Sequence, residues 1–197
     1  MTKQVVLSFS GGKDSCLALY KLQQQNSKVS CLITTIWKQS QETVAHDEKR
    51  EKIAEQADNI GIPVHFMETD FETYTEDFVT NLEELKGQYN IDSIAFGDIY
   101  LDGHREWGEQ VAEHAGLEAL YPLWTKQASV IDLLQEVIDV GFKAKIIKVD
   151  KTKLPEEWVG RSLDESFIHD IQQKDVCPMG ESGEYHTAVY DGPIFKN

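Results

Sequence analysis

Apolar positions along the chain fall into two alternating kinds of stretch. Short, near-continuous runs of β-branched and aliphatic residues read as strands. Longer stretches with apolar residues every three or four positions read as helices. Gln4–Phe9 predicts a first buried strand and Ser15–Gln25 a helix directly after it. Val29–Ile36 predicts a second strand, and Lys49–Ile60 a helix with Ile53, Ala57 and Ile60 on one face. Gly61 and Pro63 are placed to end that helix. Val64–Met67 reads as a third strand. Thr73-x-x-Glu76 has the spacing of a capping box, opening a helix that carries Tyr74, Phe78, Leu82, Leu85 and Tyr89 on one side. Ser93–Phe96 predicts a fourth strand, Arg105–Ala115 a helix, and Leu120–Trp124 a fifth strand.

Strands buried along their whole length and alternating with helices imply a parallel sheet covered on both faces, an α/β fold. The rhythm changes after Trp124. Ser129–Val140 predicts an amphipathic helix, Lys145–Val149 a strand, and Leu163–Gln172 a further helix. The tail from Lys174 to Asn197, rich in Gly and Pro, reads as irregular. The boundary is expected near residues 125–128, dividing the chain into residues 1–126 and 127–197.

The composition adds limits. A chain of 197 residues with 41% hydrophobic content buries a core without covalent staples. The net charge is −15, from 34 acidic against 19 basic residues, which argues against nucleic acid and anionic membranes as partners. Cys16, Cys31 and Cys177 are scattered and form no C-x-x-C, which argues against a disulfide framework, a thiolate metal site and export. Cys16 and Cys31 sit in apolar runs and are expected in the core. No apolar run is long enough to cross a membrane. Cytoplasm is the expected compartment.

The chemistry concentrates in Ser10-Gly11-Gly12-Lys13-Asp14-Ser15, between the first strand and its helix. Glycines let the backbone approach an anion, and a helix N-terminus offers free N–H groups and partial positive charge. Lys13 adds a charge, and Ser10 and Ser15 add hydroxyls. A plain tight turn capped by Asp14 or Ser15 would need neither. The loop is not a Walker A motif, because Leu7 stands where its first Gly belongs and Asp14 follows the Lys. It is not a dinucleotide fingerprint either, because Gly11 and Gly12 are adjacent.

SGGKDS resembles the PP-loop of the ATP pyrophosphatases, or adenine nucleotide α-hydrolases, whose pattern is S-G-G-x-D-S. Two more stretches narrow the likeness: FGDIYLDGHREWGEQVAEHAGLEALYPLW (residues 96–124) and CPMGESGEYHTAVYDGPIF (residues 177–195). With the loop they resemble the diphthine–ammonia ligase family from Val5 to Phe195. The resemblance implies an HUP-like, Rossmann-like doubly wound sheet with a smaller C-terminal α+β domain. It implies a ligase that activates a carboxylate with ATP and Mg²⁺, releases AMP and pyrophosphate, and forms an amide with ammonium. The acceptor it implies is the diphthine residue of elongation factor 2, or a small metabolite in an organism without diphthine. A homodimer is a further expectation.

Residue by residue, the resemblance makes Ser10, Gly11, Gly12, Lys13, Asp14 and Ser15 nucleotide-binding, with Lys13 and Asp14 acting in catalysis. Gly97-Asp98, at the end of the fourth strand, closes the nucleotide pocket, where parallel sheets bind ligands. His46, after the second strand, resembles a family histidine near the nucleotide. Gly180–Tyr185 matches a G-E-x-G-E-[FY] motif associated with the acceptor, with Ser182 where many members carry Gly. Glu181 and Glu184 are expected to orient a cationic acceptor group, bind magnesium or accept a proton from ammonium, with Tyr185 facing the same cationic group and His186 on the acceptor side. His104 and Arg105 stand at a helix start as candidate anion contacts. Metal ligands stay open, with Asp14 and Asp98 the carboxylates placed to help magnesium bridge phosphates. His65, His114, Trp107, Trp124 and Trp158 are expected to be structural. Two other readings remain: a nucleotide sensor without turnover, and an RNA-modifying enzyme with the same loop.

Overall fold

The computed structural model describes residues 2–196. Its centre is a five-stranded sheet in the order β3-β2-β1-β4-β5, made of β1 (Gln4–Ser8), β2 (Lys28–Trp37), β3 (Val64–Thr69), β4 (Ser93–Ala95) and β5 (Glu118–Leu120). Every pairing is parallel. Helices α1 (Lys13–Gln24), α2 (Arg50–Ile60), α3 (Tyr74–Tyr89) and α4 (Asp102–His114) are the crossovers. The parallel sheet expected from the apolar runs is therefore present, and it is doubly wound, as the resemblance implies.

The two faces of the sheet hold different apolar clusters. Phe78, Leu82 and Leu85 of α3 join Val111 and Ala112 of α4 against Val6, Ile33 and Ile94 on one face. On the other, Leu17 and Leu22 of α1 and Ile53 of α2 cover Val5, Leu7 and Leu32. That second cluster runs on without a break into the chain beyond Thr125. It takes in Val130, Leu134 and Val137 of α5 (Val130–Asp139), Ala144 and Ile146 of β6 (Lys143–Val149), and Phe167 and Ile171 of α6 (Glu165–Ile171). The C-terminal elements thus share a core with the sheet, packed over α1. A Lys21–Glu136 ion pair at 2.8 Å marks the seam.

Several local expectations change. The tail called irregular, whose last residue Asn197 lies outside the described residues, contains β7 (Tyr185–Asp191), antiparallel to β6. Gly and Pro flank this strand rather than interrupt it, and its alternation is plain: Tyr185, Thr187 and Val189 point inward. The capping box does not form. Thr73 Oγ1 donates to Asp70 and Asp77 at 2.9 and 2.7 Å, and no side chain caps α3. α4 starts at Asp102, so His104 and Arg105 lie within its first turn. β5 ends at Leu120, and Leu123 drops into the core from the following turn. Gly61 ends α2 in the left-handed conformation, as its position suggested. Among the described residues no helix is long and apolar enough to cross a membrane.

Phe167 joins the C-terminal elements to one another. It is fully buried, with its ring edge-to-face against Trp158 and Tyr185 at centroid distances of 5.6 and 5.3 Å. Phe167→Ala is expected to cost about 3–5 kcal/mol, measured by urea unfolding. A loss under about 1 kcal/mol would show that this cluster does not hold the C-terminal elements in place.

Candidate functional site

β1 is the strand from which the sheet is wound in both directions, so a crevice opens between the carboxyl ends of β1 and β4. A cavity of about 270 Å³ lies there. Its walls come from the loop after β1 (Ser10, Lys13, Asp14, Ser15), the end of β4 (Gly97, Asp98), His46, and the turn before β7 (Gly180, Glu181). Four stretches far apart in sequence, three of them quoted above as motifs, therefore meet in one place. Thr34, Thr35 and Tyr74 also line the cavity.

The loop is shaped by what it lacks. Gly11 has φ +77°, and a Cβ on it would fall 2.1 Å from Gln56 Oε1. Gly12 caps α1 in extended conformation. A Cβ there would meet His46 Cε1 at 2.6 Å and the Thr187 carbonyl at 3.0 Å. Gly97 lets β4 approach the start of α1, since its Cβ would stand 3.3 Å from the Asp14 carbonyl carbon. Ser15 Oγ donates to the Gly12 carbonyl at 3.1 Å and sits 3.4 Å from Ser10 Oγ. The alternative of a turn capped by Asp14 or Ser15 is not what forms, because both residues lie inside the helix.

The C-terminal strand closes on this loop. Lys13 N–H donates to Thr187 Oγ1 at 3.0 Å, and Val189 N–H donates to the Gly11 carbonyl at 3.1 Å. Gln56 Nε2 bridges the carbonyls of Gly11 and Val189 at 2.9 and 2.5 Å. The Lys13 side chain is only 2% exposed. Its Nζ donates to the Met179 carbonyl at 2.6 Å and to both Asp14 oxygens at 3.0 and 3.1 Å, and it lies 4.8 Å from the centre of the Tyr185 ring. Expected as a charge for phosphate, this ammonium is held against the C-terminal elements.

His46 and His186 lie ring to ring, 4.7 Å apart. His46 Nδ1 is buried without a hydrogen-bond partner among the described residues. Burial drives the His46 pKa down to about 3, helped by His186 and Lys13, and burial lowers His186 too. Both rings are therefore neutral at pH 7, and the ring of His46 faces the loop.

On the opposite wall, single ligand atoms of Asp98, His104 and Glu181 lie within 4.8 Å of one another. Glu181 Oε1 accepts the Ile99 N–H at 2.9 Å. Burial pushes the Glu181 carboxyl up to about 7 against that hydrogen bond, with the charges of Asp14 and Asp98 adding to the rise. The Asp98 carboxylate 3.2 Å away raises the His104 pKa. The other expected acceptor residues differ. Glu184 is 5% exposed and accepts the N–H groups of Ser182 and Cys177 at 2.9 and 3.3 Å, so it shapes its own turn. The fully buried Tyr185 donates to the Pro178 carbonyl at 2.6 Å and turns its ring to Lys13. Arg105 pairs with Glu109 at 2.8 Å and stacks on Trp124 and Tyr121, so its guanidinium is engaged on the α4 surface. His65 and His114 do not line the cavity and are bonded to Asn81 and to the Gln110 carbonyl.

Sequence reasoning passed over Thr187, Gln56, Tyr74 and the Met179 carbonyl. Only the alternation from Tyr185 to Val189 could have pointed to Thr187; the others carry no local signal.

Comparison with known proteins shows the family. Residues 2–119 match the model of the diphthamide synthase N-terminal domain, and residues 129–197 that of the diphthamide synthase C-terminal domain. A diphthine–ammonia ligase of Danio rerio is 30% identical over 98% of this chain and 84% of its own length. The Bos taurus ligase is 35% identical over 61% of this chain, and the Schizosaccharomyces pombe one 29% over 95%. The chain spans less than half of these last two, 46% and 34% of their lengths. The crystal structure of a predicted subunit of tRNA methyltransferase from Methanocaldococcus jannaschii shares the fold. Its TM-score is 0.50 at 18% identity, over 97% of this chain and 100% of that one.

The raised Glu181 carboxyl has a consequence for stability. Between its ordinary 4.5 and about 7 the folded chain holds a proton that the unfolded chain has released. Glu181 therefore favours folding at low pH, and that contribution is lost as pH rises through 7. His46 works in the opposite sense, because its folded pKa is lowered. Glu181→Gln is expected to gain in melting temperature relative to wild type between pH 4.5 and 8. A difference that stays constant over that range would contradict the placement of the carboxyl.

Proposed function

Because the chain belongs to the diphthamide synthase family, we propose that it is an ATP-dependent amide ligase working at the crevice between β1 and β4. The observation that carries this reading is the convergence of the Ser10–Ser15 loop, Gly97-Asp98 and Glu181 on one cavity. ATP enters with its phosphates at the loop. The first-turn amides of α1 and the hydroxyls of Ser10 and Ser15 stabilise the charge that grows on the departing pyrophosphate. Missing side chains at Gly12 and Gly97 leave the close approach this requires. Neutral His46, with an unpartnered ring nitrogen beside the loop, offers a polar contact without the cost of a buried charge.

The acceptor carboxylate attacks the α-phosphorus, pyrophosphate leaves, and ammonia then displaces AMP from the acyl-adenylate to form the amide. Asp98 and Glu181, with His104, are the donors a divalent cation would meet, and their oxygens suit magnesium. The magnesium would screen phosphate charge when bound. With Glu181 among the donors of the cation, the proton that the attacking ammonia loses passes to solvent. The relatives' names give the substrate class, diphthine and ammonia. On that basis the acceptor is the diphthine of elongation factor 2, or a small carboxylate in an organism without it. The reducing cytoplasm suits three cysteines that are all free, and the domains are residues 1–126 for ATP and 127–197 for the acceptor.

Incubation with ATP, magnesium, ammonium and a diphthine-bearing or small carboxylate acceptor is expected to yield AMP and pyrophosphate in step with amide. Gly12→Ala, whose Cβ would collide with His46 and the Thr187 carbonyl, is expected to lower turnover at least tenfold. Release of ADP, or nucleotide binding without AMP formation across a broad acceptor panel, would sink the ligase reading. The second result would favour a sensor.

A further inference from the structure

We propose that Lys13 is a positioning residue for the turn Cys177–Tyr185, tying that turn to the nucleotide loop, and is not a ligand of the triphosphate. The proposal rests on the ligase reading only for the role of that turn as the acceptor's wall.

A buried ammonium is costly unless its donors are met. Lys13 is 1% exposed, yet within its own loop only the Asp14 carboxylate meets it. The C-terminal elements complete the shell with the Met179 carbonyl at 2.6 Å and the Tyr185 ring face at 4.8 Å. The backbone N–H of the same residue goes to Thr187 Oγ1 at 3.0 Å. Both donor groups of residue 13 thus point at one strand and the turn before it, about 170 positions away. A phosphate that drew Lys13 Nζ out of this shell would take it from the Met179 carbonyl and the Tyr185 ring. The loop has other donors for an anion, in the serine hydroxyls and the remaining first-turn amides.

The turn held in this way carries Glu181 on the cavity wall, with its Oε1 on the Ile99 N–H 2.9 Å away. Glu184 fastens the turn from inside through Ser182 and Cys177, and Tyr185 fastens it through Pro178. Lys13 is the link between this closed turn and the loop. Through it the two halves of the cavity are set at a fixed separation.

The test compares wild type with Lys13→Met, Lys13→Arg and Tyr185→Leu. Affinity for a non-hydrolysable ATP analogue with magnesium is read by calorimetry, and amide hydrogen exchange is read by mass spectrometry. Lys13→Met is expected to hold nucleotide affinity within threefold and to speed exchange at least tenfold in residues 177–185, with 130–149 unchanged. Lys13→Arg, which can still donate to the Met179 carbonyl and stack on Tyr185, is expected to restore slow exchange. Tyr185→Leu is expected to speed exchange in the same segment, and it keeps the test open should Lys13→Met fail to fold. Nucleotide affinity lowered more than threefold by Lys13→Met would overturn the proposal. So would unchanged exchange in 177–185, or failure of the arginine variant to restore it. If the wild-type chain binds no nucleotide, the function proposed above fails, while the exchange measurements still decide this inference.

Discussion

The site depends on the closure of β7 over a loop that has no side chains in the way. Two hydrogen bonds define the contact: Val189 N–H to the Gly11 carbonyl, and Lys13 N–H to Thr187 Oγ1. Both need the strand to come within about 3 Å of the loop backbone, a normal hydrogen-bond distance. At Gly12 a single methyl group would strike His46 and the Thr187 carbonyl. At Gly11 it would strike Gln56 in a backbone conformation that already disfavours other residues. The glycines therefore serve the protein's own packing.

This closure gives the crevice its character. The C-terminal elements fill the open side of the doubly wound sheet, where a ligand would otherwise meet bulk water. Polar groups brought there shift as physical chemistry requires. Two histidines lose their charge, while a glutamate beside two aspartates holds its proton up to neutral pH. Two neutral imidazoles at the loop therefore face a carboxyl with a raised pKa across the cavity. The same environment explains why both Glu184 and Tyr185 are engaged within their own turn: in so closed a turn, buried polar groups satisfy one another first.

Much of this was legible in the chain, though unevenly. The Ser10–Ser15 loop could be read because its determinants are neighbours in sequence: an apolar strand, two glycines, then a helix. Gly97-Asp98 could be read for the same reason, as the end of a buried strand. His46 and Glu181 were found through resemblance and fell into the cavity. Arg105 does not line the cavity, because a helix start does not say which way its side chains face, and Trp124 and Glu109 engage its guanidinium. The tail was judged irregular because Gly180, Gly183 and Pro193 outweighed an alternation only a few residues long, which becomes a strand only when β6 pairs with it.

What the sequence determined by itself was the periodic order of strands and helices, and hence a parallel sheet with its crevice at a known end. It also determined the glycine-rich form of the first turn. These follow from interactions between residues a few positions apart, or from the burial pattern each element imposes on itself. The tertiary structure alone decided the partners of Lys13, the pairing of Thr187 and Val189 with the loop, and the environment that moves His46 and Glu181. Those contacts join residues separated by most of the chain's length. Buried charges and unpaired polar groups are controlled by whatever surface arrives against them, and local sequence carries no record of that surface.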